Sequence, residues 1–542
     1  MCGLTGFLRP VGFNPTIATA QATAMALRIK HRGPDDSGVW VDGEDGIALA
    51  HRRLSILDLS LAGHQPMASP SGRWVLAYNG EVYNHIEMRR KMEASGAAAA
   101  WRGHSDTETL LAAIDAWGPE ATLRCSVGMF ALALWDRQRR ELWLVRDRLG
   151  EKPLYYGWQG DTFLFGSELH ALRAHPDFVG GIDRGALALL LRHNYVPAPY
   201  SIHPHIFKLP PGHWLRLGPG QRDVGPQAYW SLAAVAERGT SAPFTGSDEE
   251  AVDRLAELMG AAVRGQRVAD VPLGALLSGG IDSTLVTALM QSQAMHPVRT
   301  FTIGFEEGAY DEAMHARAVA AHLGTQHTEL RLTGTDALAL VPRLPAMYDE
   351  PFADSSQLPT HLVMQLARQH VTVALSGDAG DEMFGGYNRY FLGPKAWSRI
   401  GWMPPMIRRA VGAGLTALPA PALNRWLGPL AGRAGIALPG DKAHKLGARL
   451  RHVRDQDDLY VSLVKEWPDP VAMVPGGFLP PNLLDDRSLW PQLSDPVARM
   501  MALDGLTYLP DDILVKVDRA AMAVSLETRA PFLDRDVVEF AW

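Results

Sequence analysis

Residues 271–283, VPLGALLSGGIDS, limit the possible folds more than any other stretch of the chain. An apolar run, 271–277, gives way to Ser278-Gly279-Gly280, then to Ile281-Asp282-Ser283 and a helix-like segment through Met290. That order predicts a buried strand, a glycine turn and a helix. Adjacent glycines let the backbone approach a ligand and take angles closed to other residues. The first N–H groups of the following helix lack partners and carry partial positive charge, which suits phosphate oxygens. Ser278, Ser283 and Thr284 add hydroxyl donors. Asp282 is out of place beside a phosphate unless a cation lies between them, which makes it a candidate magnesium ligand. A plain turn at a strand end would account for a lone Gly-Gly, but not for the whole pattern.

SGGxDS after an apolar strand resembles the pyrophosphate loop of the ATP pyrophosphatases, enzymes that cut ATP between its α and β phosphates and adenylate a carboxylate. The pattern is not a Walker loop, because no Lys precedes the Ser/Thr.

With 542 residues the chain has room for two or three domains. Hydrophobic residues at 47% and charged residues at 20% describe an ordinary globular protein. A net charge of −7 argues against non-specific nucleic-acid binding. No uninterrupted apolar stretch reaches membrane-spanning length, so neither nucleic acid nor membrane is expected as a partner. MCGLTGFLRP carries no basic region followed by a long apolar core, so no secretory leader is expected. Cys2 and Cys125 are the two cysteines; they form no disulfide framework or zinc spacing and point to a reducing cytoplasm.

The first 170 residues read as β-rich. Strand-like runs at 3–8, 39–41, 47–57, 74–78, 129–135, 142–145 and 162–165 are separated by Gly, Pro, Asn and Asp. Helical patterns fall at 86–93 and 107–117, the second with Ser105 as N-cap and Glu108 as its capping-box partner. This mixture predicts a layered α+β domain. Residues 197–246, rich in Pro, Gly and Ser, read as the inter-domain connection. Strand–helix alternation follows: helix 249–263, strand 271–277, strand 300–305, helix 311–323, and strand 371–375 leading into Ser376-Gly377-Asp378. It predicts a mostly parallel sheet covered by helices. Ligands bind such sheets outside the carboxyl ends of the strands, so the SGG and SGD loops face one site. Residues 395–500 read as Pro-interrupted helices without evident chemistry.

Cys2 follows the initiator Met, and removal of Met1 would make it N-terminal. Its own α-amino group, with an unperturbed pKa of about 8, can then serve as the general base for the thiol. The other reading is a buried cysteine near a chain end. Polar clusters at 51–55, 78–84 and 103–106 favour chemistry. An arginine fork suits an α-carboxylate and an aspartate suits an α-ammonium. An Asn side chain with a Gly N–H can form an oxyanion hole for a tetrahedral thiol adduct. Together they would bind glutamine and hydrolyse its amide.

The N-terminal half is similar to the class II glutamine amidotransferases, and the whole chain resembles the glutamine-hydrolysing asparagine synthetase family. The motifs are MCG at the start, HRGPD at 31–35, HRRLSILD at 51–58, YNGEVYN at 78–84, SDTE at 105–108, RDRLGEKPLYY at 146–156, LSGGIDS at 277–283, LSGDAGDEMFGGY at 375–387 and VKVDRAAMAVSLETRAPFLD at 515–534. The resemblance implies that Cys2 is the nucleophile and that Asn79 and Gly80 form the oxyanion hole. Arg53, Leu54, Ser55, Ile56, Leu57, Glu81 and Asp106 would line the glutamine pocket. Leu277, Ser278, Gly279, Gly280, Asp282, Ser283, Ile303, Ser376 and Gly377 would surround ATP, and Asp282 and Asp381 would hold Mg2+. The implied fold is an α+β N-terminal-nucleophile αββα sandwich, residues 2–215, followed by an α/β Rossmann-like parallel-sheet synthetase domain, residues 240–542, C-terminally short for the family. The sequence does not fix the oligomeric state, and a homodimer is one assembly open to it.

Two features bear on the acceptor. The best-known asparagine synthetases have Glu after the second Ser-Gly, where this chain has Asp378, a catalytic candidate whose shorter side chain points to a different acceptor geometry. SGD with the extension GGYNRY resembles the asparagine-synthetase-like amidotransferases of surface-polysaccharide pathways. Lys516 and Arg519 are the cations nominated to stabilise the adenylate transition state; a salt-bridged helix face is the alternative. The expected reaction is glutamine-dependent amidation of a carboxylate using ATP and Mg2+. Aspartate is the leading acceptor and a sugar uronate the runner-up. A binding or regulatory protein with one silent half is the alternative of a different class.

Overall fold

A computed structural model describes residues 2–97, 100–305, 313–433 and 439–542. Two antiparallel six-stranded sheets make up the N-terminal part. In the first, the order is Phe207–Lys208, Tyr155–Gln159, Thr162–Gly166, Gly3–Leu8, Ile47–Arg53, Asp36–Asp42. In the second, it is Gln227–Ala228, His213–Leu217, Glu141–Arg146, Gly128–Asp136, Trp74–Val82, Met67–Ala68.

The period-2 alternation of strand side chains stacks these sheets. Leu4, Ile47 and Leu49 of the first meet Val75, Ala77, Ala131 and Ala133 of the second. On the opposite faces, Phe7, Ala48 and Ala50 receive Ala18, Ala22 and Met25 of helix Pro15–Arg28. Leu76, Tyr78, Phe130 and Leu132 receive Met88, Leu110, Leu111 and Ile114 of helices His85–Ala94 and Asp106–Trp117. The layers therefore run helix, sheet, sheet, helix.

The C-terminal part is built on a parallel sheet, ordered Gln326–Leu332, Arg299–Phe305, Leu273–Leu276, Val373–Leu375, Glu527–Arg529. No helix of the described residues is long and apolar enough to cross a membrane.

Several expectations change at their edges. The strand predicted over 47–57 stops at Arg53, opposite the first residues of its antiparallel partners Gly3–Leu8 and Asp36–Asp42; Leu54 and Ile56 turn into a cluster with Met129, Val373 and Met522. Trp74–Val82 runs four residues beyond the predicted 78, so Asn79, Gly80 and Glu81 lie on a strand. Ser105 caps its helix by accepting the Glu108 N–H at 3.2 Å. The Glu108 carboxylate instead takes the N–H groups of Arg102 and Gly103, at 2.8 and 3.0 Å. The 197–246 connection is partly sheet: His213–Leu217 pairs with Glu141–Arg146, and Gln227–Ala228 with His213–Leu217. The helix expected over 311–323 is described from Ala313, and its first two residues lie outside the described residues.

Candidate active site

Cys2 precedes strand Gly3–Leu8, in the middle of the first sheet, with 7% of its surface exposed. Its backbone N–H donates to Asn79 Oδ1 at 2.8 Å, and its thiol lies 3.8 Å from the Leu54 carbonyl. With Asn79 Oδ1 committed, Asn79 Nδ2 is buried and donates to no acceptor among the described residues. A buried donor without a partner is costly, and one beside a thiol could serve an oxyanion. Gly80 cannot carry a side chain: a Cβ would meet the Phe130 Cα at 2.6 Å. Burial pushes the Cys2 thiol up to about 11, so its activation needs a base.

The other predicted pocket residues have differing commitments. Asp106 Oδ2 accepts from the Tyr78 hydroxyl and the Val82 N–H, both at 2.9 Å. Arg53 is buried and donates to the Ser60 carbonyl at 2.9 Å, the Leu57 carbonyl at 3.3 Å and the Asp58 carbonyl. Ser55 N–H donates to Asp35 Oδ2 at 2.8 Å, and the Ile56 carbonyl accepts from the Asp270 N–H at 2.9 Å. Leu57 is buried and supplies the carbonyl that Arg53 holds. Burial, with Asp106 and Glu527 nearby, pushes the Glu81 carboxyl well up, against the pull of Arg529.

The second group of residues sits at the carboxyl ends of adjacent parallel strands. Leu277 N–H donates to the Phe301 carbonyl at 2.9 Å, which fixes the exit of strand Leu273–Leu276 beside the strand that carries Ile303. The Ser278 and Ser283 hydroxyls lie 2.9 Å apart and close the loop. Gly279 takes φ +83°, a conformation that favours glycine. Gly280 caps helix Ile281–Ser292 without a side-chain acceptor, so its first N–H groups remain for a ligand.

The SGD loop packs against the SGG loop. A Cβ on Gly377 would lie 2.6 Å from the Ser283 nitrogen, and one on Gly380 would strike the Asp282 carboxylate. The buried Ser376 side chain lies against Asp378 and holds its carboxyl down against burial. Ala379, between them, holds φ +73°, a strained angle for a residue with a Cβ. Burial raises the Asp282 carboxyl, and Asp381 and Asp378 add repulsion that takes it to about 6. Burial also raises Asp381 and Asp378. Crowded carboxylates that repel one another are the donor set a hard divalent cation relieves, so Asp282 and Asp381 fit Mg2+.

Helix Leu514–Met522 carries three charged residues, all buried. Lys516 Nζ donates to Asp354 Oδ2 and Ser356 Oγ, each at 2.7 Å, and lies close enough to lower the Asp378 carboxyl against its burial. Arg519 is engaged elsewhere. It pairs with Glu168 at 2.8 Å and Asp349 at 3.5 Å and donates to the Ser167 carbonyl at 3.3 Å. Glu168, His170 and Asp349 have the spacing of a metal cluster, but Arg32 and Arg519 already supply cations to Glu168.

Two models of protein families match. One, described as asparagine synthase, covers residues 254–542; the other, a glutamine amidotransferase domain, covers 1–230. A Mycobacterium tuberculosis protein, provisionally named a glutamine-hydrolysing asparagine synthetase, is 34% identical over all of this chain and 81% of its own length. Asparagine synthetase [glutamine-hydrolyzing] 1 of Bacillus subtilis is 30% identical over all of this chain and 80% of its own. The chain belongs to the glutamine-hydrolysing asparagine synthetase family. Members are ligases that form carbon–nitrogen bonds.

For a glutamine-hydrolysing asparagine synthetase, the contacts between the two groups of residues matter as much as the groups themselves, and sequence reasoning gave them no role. Arg529 Nη2, on the last strand of the parallel sheet, lies 3.4 Å from Glu81 Oε1. Arg32 Nε donates to the Cys2 carbonyl. A cavity of about 10 Å³ is lined by Glu151, Lys152, Ser376, Asp378, Asp518 and Arg529, room for about one water-sized molecule. The signal was present in the quoted HRGPD and SLETRAPFLD motifs, both charged yet without an expected ligand.

Proposed function

We propose that this chain hydrolyses glutamine at Cys2 and uses the released ammonia to amidate an ATP-activated carboxylate, aspartate to asparagine in the leading reading. The thiol attacks the glutamine amide carbon while its proton passes to the α-amino group of a processed N-terminus. Asn79 Nδ2 and the Gly80 N–H receive the oxyanion, and ammonia leaves before water cleaves the thioester. Arg53, Glu81 and Asp106 hold the amino-acid portion of glutamine, with 54–57 as the rim. The SGG and SGD loops hold ATP, and Asp282 and Asp381 would hold Mg2+, which when bound would screen the phosphate charge. The acceptor carboxylate attacks the α-phosphate, pyrophosphate leaves, and ammonia displaces AMP. The cavity between Arg529 and Asp378 supports transfer of ammonia inside the protein.

In this reading, residues 2–215 hold the glutaminase functions on an N-terminal-nucleophile sandwich and 240–542 the synthetase functions on a Rossmann-like sheet. The enzyme works in the cytoplasm. The observation that carries the proposal is the unspent Asn79 Nδ2 beside the Cys2 held by the same side chain. It also speaks against a silent glutaminase half.

Asp378 favours a second reading, in which the shorter carboxylate serves a sugar uronate. Incubation with ATP, Mg2+ and a panel of carboxylates tests both. Pyrophosphate release with aspartate is the expected result; release with none of them would sink the ligase assignment.

A further inference from the structure

Helices Asn388–Ile400, Pro405–Ala417, Ala420–Arg433 and Pro439–His452 supply none of the residues assigned above to either site. Between positions 395 and 454 the sequence holds eleven Lys and Arg and a single acidic residue, Asp441, although the net charge of the whole chain is −7. Asp441 Oδ2 accepts from Asn424 Nδ2 at 3.1 Å. The stretch is a basic island on an acidic protein.

Its packing turns small residues inward. A Cβ on Gly412 would lie 2.5 Å from the Gly447 carbonyl oxygen, and one on Gly447 2.9 Å from that of Gly412, so these two helices meet at glycine. The other buried residue of helix Pro405–Ala417 is Arg408. Its Nη2 donates to the Arg454 carbonyl at 2.8 Å, and its guanidinium carbon lies 4.8 Å from the Trp397 ring centroid. The large apolar side chains face the other way. Met406 is 80% exposed, and Ile407, Val411 and Leu418, at helical spacing, form an exposed stripe. Trp402 and Trp426 are 77% and 75% exposed. A surface helix of a globular protein buries its apolar stripe. This one buries a glycine and an arginine and presents the stripe to solvent.

Trp402, Met406 and Trp426 each have an exposed arginine nearby. The Trp402 indole N–H donates to the Arg399 carbonyl at 2.7 Å; Arg409 lies one turn along from Met406, and Arg425 is next to Trp426. Among the described residues none of these three arginines has an ion-pair partner. Cations interleaved with Trp, Met and Ile suit an anionic bilayer: apolar side chains enter the acyl boundary, tryptophan rings sit among the headgroups, and guanidinium groups meet phosphate. A nucleic acid would match the arginines and gain nothing from Met406, Ile407, Val411 or Leu418. A second copy of the same face would set like charges together.

We propose that helices Pro405–Ala417 and Ala420–Arg433, with the Arg399–Trp402 turn before them, form a docking surface for an anionic phospholipid membrane. The expectation of no membrane partner came from span length, and a peripheral contact needs no span. The surface uses no residue of either site, so it stands apart from the ligase reading.

The test is cosedimentation of the full chain, without ATP or glutamine, with vesicles of phosphatidylcholine alone and of phosphatidylcholine mixed with phosphatidylglycerol. Binding to the mixed vesicles is expected to be tighter by about tenfold or more and to weaken as salt rises. Combining Arg399→Gln, Arg409→Gln and Arg425→Gln should lower it by about tenfold or more. Met406→Ser with Ile407→Ser should weaken the binding that persists at high salt. Brominated lipid should quench tryptophan fluorescence in the wild type and much less in Trp402→Phe with Trp426→Phe. Circular dichroism and urea unfolding of every variant should match the wild type, because the changed side chains are exposed. Equal binding to both kinds of vesicle, wild-type binding by the triple arginine variant, or bound protein with unquenched tryptophan would overturn the surface. So would binding to duplex DNA without binding to vesicles, or self-association that Met406→Ser with Ile407→Ser removes while no lipid is bound.

Discussion

Arg32 Nε donates to the carbonyl oxygen of Cys2 at 3.0 Å, while Nη1 and Nη2 donate to the two carboxylate oxygens of Asp518 at 2.8 and 2.9 Å. One guanidinium thus ties the candidate nucleophile to helix Leu514–Met522 of the parallel-sheet half. Neither partner sees solvent to any extent: Arg32 is 0% exposed and Asp518 3%. Burial pushes the Asp518 carboxyl up, but Arg32 more than offsets this and holds it below its ordinary value.

Removing Asp518 leaves Arg32 with Glu168 alone, and removing Arg32 leaves Asp518 with Lys152 at 3.9 Å, so each loss costs up to about 3–5 kcal/mol. Arg32→Met and Asp518→Asn are each expected to lower stability by that order in urea unfolding, and the double variant by less than their sum. Asp518 has a depressed folded pKa, so its contribution is complete above the ordinary carboxylate range. It is lost as pH falls through the folded value. The wild-type advantage over Asp518→Asn should therefore shrink on acidification below about pH 4; an advantage independent of pH would show that the pair is not ionised.

Asn79→Ala removes the unspent Nδ2 donor. Loss of one oxyanion donor costs about 10²–10³ in kcat, and that is the expected fall in glutamine hydrolysis. Ammonia-dependent synthesis should persist. A glutaminase rate within threefold of wild type would remove Asn79 from the chemistry.

Cys2→Ala should abolish glutamine-dependent synthesis and spare synthesis from added ammonia. Burial pushes the thiol up to about 11, so glutamine hydrolysis should rise with pH through a group of the α-amine range, about 7.7–8.0. A profile that rises only near 11 would point to direct thiol ionisation instead.

Asp282→Asn should suppress pyrophosphate release while glutamine hydrolysis survives. The substitution removes one of the crowded carboxylates that fit Mg2+. Wild-type release would reduce Asp282 to a residue of the first helical turn.

Asp378→Ala should severely lower amide formation, and Asp378→Glu should alter rate or acceptor preference, because a group that handles a proton must reach it within hydrogen-bond distance. Unchanged kinetics on every accepted carboxylate would remove both its catalytic role and the case for a uronate.

Much of this was legible in the chain. Period-2 alternation places Leu4 and Phe7 on opposite faces of one strand, and the apolar run before SGG is a buried strand of the parallel sheet. Motifs can be read where local backbone geometry carries the chemistry, as at Gly279 and Gly377. What could not be read depends on pairs far apart in sequence. Arg32 and Asp518 are 486 residues apart, and nothing local to either marks a partner. Asp512 looks like an ordinary helix-end acid until the fold buries it beside Asp354. The stretch 395–500 shows no chemistry in sequence; Leu463, Glu466 and Leu484 line a cavity of about 240 Å³ with residues far away in the chain.

Helix Leu514–Met522 directs Lys516 toward Asp354, Asp518 toward Arg32, and Arg519 toward Glu168. Three bearings are read from a single screw, so the segment is far less forgiving of a change in length than of a change in letter. One inserted residue ahead of Lys516 would turn all three by about 100° and advance them by about 1.5 Å, detaching the Cys2 carbonyl's anchor, the lysine and the buried arginine at once. Insertions and deletions should therefore be excluded from this turn even where single substitutions survive.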